Sequence, residues 1–368
     1  MRTVIALAAA VISVGAALAA PATRPALRMN DIQVVGSHNS FKARIPAAVM
    51  RSLRARDPKL ADALDYYHLP LAAQLDAGVR QLEIDIFADP AGGRYADPKG
   101  EAIARAAGEA TGFDRAAMLR PGFKVFHIPD VDYISTCVTL RRCLGEIDAW
   151  SRAHPRHLPI MVTINAADTP DKDGRVSPPL PLDQPALLDA LDAEIRAALP
   201  GKRLITPDEV RGAAPTLHAA VTTHGWPSLA ATRGRVYVLF DVRDAVSAVY
   251  RAGHPSLAGR AMFGWYPAGA PEAAIEIVQD PIADGAAIRR WVEAGLIVRT
   301  RTDANTVEAR GHDLRKAEAA AASGAQAVST DYYPGAPDPA RLAFHVTLPG
   351  GVMARCNPVR TTGCRLDP

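Results

Sequence analysis

Two histidines and a small set of oxygen-bearing side chains stand where apolar runs of this sequence give way to polar loops. Residues 32–35 lead into Gly36-Ser37-His38-Asn39-Ser40, which sets an imidazole beside an amide. Leu82-Glu83-Ile84-Asp85-Ile86 alternates acid with isoleucine. Side chains alternate across a strand, so Glu83 and Asp85 share one face and the isoleucines take the other. Carboxylates about 7 Å apart on an enclosed face need basic partners or a bound cation. Lys124-Val125-Phe126 leads to His127, and Val162-Thr163-Ile164 to Asn165. Asn39, Glu83, Asp85 and Asn165 offer oxygens alone, the donor set that suits Ca2+, a hard cation taking about 6 to 8 oxygen ligands. His38 and His127 are then left free for proton transfer.

Positioning these groups together requires strands whose ends meet. Apolar, β-branched runs at 32–35, 79–87, 123–126, 159–164, 236–240, 274–278, 296–301 and 327–330 read as eight strands. Helical stretches at 182–199, 286–294 and 306–323 separate several of them, the alternation of parallel strands with crossover helices. The expected fold is α/β, a TIM-like (β/α)8 barrel with its site at the C-terminal strand ends. Residues 89–121 form a long insertion after the second strand with a short helix at 100–109, and the proline-rich 170–185 is a surface loop. Arg299 and Arg301 share one face of the seventh strand, either to bind phosphate and sugar hydroxyls or to pair with a rim carboxylate. Asp331 and Tyr332 end the eighth strand, where an acid and a ring suit sugar recognition. Tyr66, Tyr67 and His68 read as packing, and 261–266 as either an aromatic rim for a headgroup boundary or core.

Charge decides little about partners. The chain of 368 residues has 42 basic and 39 acidic side chains, a net +3 that gives no footing for nucleic acid. Residues 1–19 carry a basic start, an apolar run and Ala17-Leu18-Ala19, the pattern of a cleaved signal peptide, so a secreted or periplasmic protein is expected. Closing two local loops, Cys137 with Cys143 and Cys356 with Cys364, is the simplest use of four cysteines. The expected units are the signal peptide, a barrel over 20–343 and a disulfide-pinned extension over 344–368.

The turn Gly36-Ser37-His38-Asn39-Ser40, the strand Leu82-Glu83-Ile84-Asp85, the segment Val125-Phe126-His127 and the late Ser329-Thr330-Asp331-Tyr332-Tyr333 resemble, in order, a bacterial branch of the calcium-dependent phosphoinositide phospholipases C. The resemblance implies a TIM-like barrel that binds Ca2+ and cleaves the phosphodiester of inositol phospholipids to diacylglycerol and a cyclic inositol phosphate. It implies that His38 assists attack, that His127 protonates the leaving oxygen, and that Asn39, Glu83 and Asp85 hold calcium. Asn165 stands where the better-known relatives have a glutamate, and Asp168 is near enough in sequence to compensate. Arg299, Arg301, Asp331 and Tyr332 are the candidate substrate contacts, the membrane contact is transient, and the chain is expected to be a monomer. Two other readings stay open. A glycerophosphodiester-type phosphodiesterase would carry His-Arg-Gly in place of His38-Asn39-Ser40; a silent headgroup-binding barrel would not need both histidines.

Overall fold

A computed structural model describes residues 26–166 and 179–366 of the chain. The expected signal peptide, Asp168 and most of the 170–185 loop lie outside these residues. Eleven strands are described: β1 (Ile32–Ser37), β2 (Gln81–Asp89), β3 (Gly122–Val125), β4 (Ile160–Ala166), β5 (Leu204–Ile205), β6 (Val236–Asp241), β7 (Phe263–Gly264), β8 (Ile275–Val278), β9 (Ile297–Arg301), β10 (Ala327–Thr330) and β11 (Ala354–Cys356). They form one curled α/β sheet, ordered β5-β6-β4-β2-β1-β10-β9-β8, with β7 added on β6. Every pair on that path is parallel, as crossover connections require. A single parallel bridge from Trp265 to Ile275 links the end of β7 to β8.

One of the expected strands needs correction. Residues 123–126 are not a parallel member of the sheet: β3 runs antiparallel to the far half of β2, Val125 opposite Ile86 and Gly122 opposite Asp89. A four-residue apolar run has no periodicity that separates these cases. The parallel place belongs instead to β7, whose two residues are too short to register as a pattern, and no helix separates β7 from β8. The expected helix at 306–323 is two, Val307–Gly311 and Arg315–Ser323, divided at His312, whose φ of 50° breaks the helical path.

Local chemistry explains the elements that hold. Helix Pro281–Ala294 begins with Pro281 after Asp280, whose carboxylate accepts from the Ile282 and Ala283 amides, and ends at left-handed Gly295. Helix Leu140–Ala153 turns Leu140, Leu144 and Ile147 onto the sheet, where they join Leu82, Ile84, Ile86, Val162 and Ile164 in the main apolar core. Both disulfides close as the local loops expected, Cys137 to Cys143 and Cys356 to Cys364. The second pins the tail that delivers β11, antiparallel to the first half of β1.

Candidate active site

The turn after β1 is built by its own side chains. Gly36 passes so close to β2 that a Cβ there would meet the Gln81 side chain. Ser37 Oγ lies 2.6 Å from Ser40 Oγ and donates to Gln74 Oε1 at 2.7 Å. Asn39 adopts φ 47°, a left-handed conformation that asparagine tolerates better than most side chains. Ser40 then ties the turn to β2: its amide donates to the Glu83 carbonyl at 2.9 Å, and its hydroxyl accepts from the Glu83 amide at 2.8 Å. The result fixes His38 and Asn39 beside Glu83.

His127 reaches the same mouth by another route. It follows β3, and a tight turn in which Ile128 and Asp132 exchange backbone bonds brings Asp132 back beneath it. Asp132 Oδ2 lies 2.8 Å from His127 Nδ1 and 3.3 Å from Lys42 Nζ. Lys42 is wholly buried and also donates to the Leu64 and Tyr66 carbonyls, at 3.1 and 2.5 Å. His38 has a matching arrangement, with Nδ1 2.9 Å from Asp331 Oδ1 and Nε2 3.7 Å from Glu83 Oε1. The two imidazoles retain 18% and 23% of their side-chain exposure while Asp331 and Asp132 retain none. Each ring is therefore anchored from below and open above.

The remaining charges are mostly matched in pairs. Arg299 Nη2 donates to Glu83 Oε2, and its Nη1 to Gln279 Oε1 at 3.0 Å. Arg301 donates to Asp331 Oδ2 at 3.3 Å and to the Asp303 carbonyl at 2.9 Å. Both arginines thus engage carboxylates across the mouth. Tyr332 lies two residues past the end of β10 and is buried, its ring edge-on to Phe344 in a satellite cluster.

Electrostatics separates these groups. Burial, then the nearby Arg301 guanidinium, holds His38 well below the ordinary imidazole range; the charge of His127 adds to this, so the two rings feel one another. Burial raises Glu83, but Arg299, with His38 and Arg301, outweighs it and the net shift is downward. Burial raises Asp85 well above the usual carboxylate range, and Glu83, Asp241 and Asp132 add to the rise. Asp241 is pushed up to about 6, by burial first and by Glu83 next.

Tyr66 and His68 correct their reading as packing alone. The Tyr66 hydroxyl accepts from Asn39 Nδ2 at 2.9 Å and stands 3.3 Å from His38 Nδ1; His68 Nε2 lies 2.8 Å from the His38 carbonyl. Tyr66 takes the Asn39 amide nitrogen, which orients the side chain. The segment 261–266 is core rather than an aromatic rim: Met262, Phe263 and Tyr266 are buried, and the half-buried Trp265 ring carries the Arg243 guanidinium 3.0 Å from its centroid.

Sequence reasoning also missed Lys42, Asp132 and Asp241. Asp132 follows His127 by five residues, and Asp241 ends an apolar run as Asn165 does. The strand register places Asp85 beside Asn165 and Asn165 beside Asp241. Among the described residues no three histidine, cysteine or acidic side chains are grouped to hold a metal. The set Asn39, Glu83, Asp85 and Asn165 draws half its donors from amides, and within it Asp85 Oδ1 is buried with no hydrogen-bond partner. A hard divalent cation fits that oxygen set.

A curled parallel sheet brings two carboxylate-anchored imidazoles and a row of oxygen-bearing side chains together at its C-terminal strand ends, groups of the kind a hydrolase uses. Residues 27–358 match the family model described as phosphoinositide phospholipase C, Ca2+-dependent. The chain belongs to that family and is a phosphodiesterase of the phospholipase C type. Among solved structures it resembles a calcium-dependent phosphoinositol-specific phospholipase C from a Gram-negative Pseudomonas species, at 16% identity and a TM-score of 0.54, over 90% of this chain and 95% of that one. The myoinositol complex of that protein matches equally. A Ca2+-dependent phosphatidylinositol-specific enzyme from Streptomyces antibioticus matches at 20% identity and a TM-score of 0.53, over 87% of this chain and 98% of that one. At these identities the likeness concerns the fold. No curated protein sequence matches the chain.

Proposed function

We propose that this protein is an exported, calcium-dependent phospholipase C that cleaves phosphatidylinositol-like lipids to diacylglycerol and a cyclic inositol phosphate. Residues 20–343 form a TIM-like barrel of β1, β2, β4, β6, β7, β8, β9 and β10; residues 344–368 extend it. The single observation that carries the reading is the pair of partly exposed imidazoles, each with a buried carboxylate on Nδ1, beside an Asp85 oxygen that no hydrogen bond engages among the described residues.

In this reading His38 takes the proton of the inositol hydroxyl next to the phosphate, a role suited to an imidazole that burial keeps neutral. That hydroxyl oxygen bonds to phosphorus as the bond to the diacylglycerol oxygen breaks. His127, its Nδ1–H held by Asp132, gives the leaving oxygen a proton from Nε2. Asn39, Glu83, Asp85 and Asn165 would hold Ca2+, which supplies Lewis-acid charge neutralisation worth several kcal/mol when bound. Arg299 secures Glu83, Arg301 secures Asp331, and the outward-facing part of Arg301 is available to the phosphate. Asp331, with Tyr332 behind it, bounds the sugar side. Export rests on the 1–19 leader and on two disulfides. Among the described residues no helix is long and apolar enough to cross a membrane, so lipid is met at the surface.

Incubation with phosphatidylinositol vesicles, with Ca2+ or with chelator, and phosphorus NMR of the products tests this. A cyclic phosphodiester signal that requires Ca2+ is the expected result. A linear glycerophosphate product would instead favour the glycerophosphodiester-type reading.

A further inference from the structure

The parallel register sets Asp85, Asn165 and Asp241 side by side on β2, β4 and β6, in one row at the C-terminal ends. Register neighbours in a parallel sheet point to the same face, so the three side chains share the barrel mouth. The other buried acids there have partners. Glu83 has Arg299, Asp331 has Arg301 and His38, and Asp132 has Lys42 and His127. Asp303 accepts from Thr302, Thr330 and the Asp331 amide. Among the described residues no ion pair engages Asp85 or Asp241, and Asp85, only 6% exposed, keeps an oxygen with no hydrogen bond at all. Arg243, two residues past Asp241, has its guanidinium laid on Trp265.

Packed carboxylates without an ion pair are costly, and among the described residues buried Asp85 and partly buried Asp241 have none while their neighbours do. We propose that Asp241 is a further ligand of the divalent cation, forming the anionic seat with Asp85 across the Asn165 amide oxygen, while Glu83, with Oε2 taken by Arg299, contributes only its other oxygen. The inference rests on the calcium reading above and adds a strand, β6, to the ligand set. The Cα positions of Asp85 and Asp241 are two strand spacings apart, about 10 Å. Two carboxylates span that distance around one ion bound at about 2.3 to 2.6 Å.

Calorimetric titration of chelator-treated full-length protein with Ca2+ alone, without lipid, tests it. Asp241→Asn is expected to weaken Ca2+ binding about tenfold or more, matching Asp85→Asn within about threefold, whereas Glu83→Gln costs less. The cation-free thermal midpoint of Asp241→Asn should equal or exceed that of the wild type, because a repulsion is removed; Asp241→Ser is the second variant should the amide pack poorly. Wild-type affinity retained within about twofold in the asparagine and serine variants would overturn the role of Asp241 and leave the phospholipase reading standing. A wild-type chain that binds no Ca2+ would overturn the calcium reading itself.

Discussion

The mouth of the sheet and its opposite floor use the same residue types to different ends. At the floor a cavity of about 770 Å³ is lined by Arg80, Trp150, His154, His157 and Arg233, all just before or beneath the strand starts. Its arginines and histidines mostly bond backbone carbonyls. Arg80 donates to the Leu75 and Val79 carbonyls at 2.8 Å, His154 Nδ1 meets the Trp150 carbonyl at 2.8 Å, and His157 lies between the Leu158 carbonyl and Ser151 Oγ. Arg233 donates to the Arg156 carbonyl. These are staples that satisfy chain ends and turns. At the mouth the histidines instead bond carboxylates, His38 that of Asp331 just past β10 and His127 that of Asp132 in its own turn, and each ring stays partly exposed. What marks the mouth is side-chain charge held by other side chains, with Asp85 and Asp241 outside any ion pair among the described residues.

The largest expected effect breaks or supports that contrast directly. His127→Ala should slow phosphatidylinositol cleavage by about 10² to 10⁴, yet spare a substrate whose leaving group needs no proton. His157→Ala, at the floor, should leave turnover per folded molecule unchanged; equal losses in both variants would erase the distinction. Next in size, Lys42→Met strands Asp132 in the interior and should cost about 3 to 5 kcal/mol in urea unfolding, with part of the loss recovered when Asp132→Asn is added. A smaller effect concerns pH. Burial holds His157 and His68 down at about 4, against 6.5 for a free imidazole. The unfolded chain therefore binds protons that the folded chain refuses between these values. Stability should be full above pH 6.5 and fall toward pH 4, and His157→Gln should flatten part of that slope in thermal melts. The smallest effect is expected of Arg156→Ala, an exposed floor residue, within about 0.5 kcal/mol in stability and with no change in cleavage. A large catalytic loss there would make the floor cavity a ligand site after all.

Much of the mouth was legible because its signals are local. The acid–isoleucine alternation of β2 survives folding unchanged, and Ser37 and Ser40 close their own turn within three residues. Tyr66, His68 and Lys42 were illegible because each acts on groups in other segments, through carbonyls and hydroxyls that no spacing encodes. The misplacement of residues 123–126 and the silence of β7 have one cause: two to four apolar residues cannot declare their partner strand.

The sequence by itself determined which faces carry acid, which turn carries His38 and Asn39, and which cysteines pair, since backbone alternation and short loops act over a few residues. Only the tertiary structure decided which acid meets which base. Glu83 and Arg299 are 216 residues apart, and His38 and Asp331 are 293 apart. Their union depends on the order in which parallel strands close around one mouth, and that order also sets Asp85 and Asp241 on either side of Asn165, with no ion pair to either among the described residues.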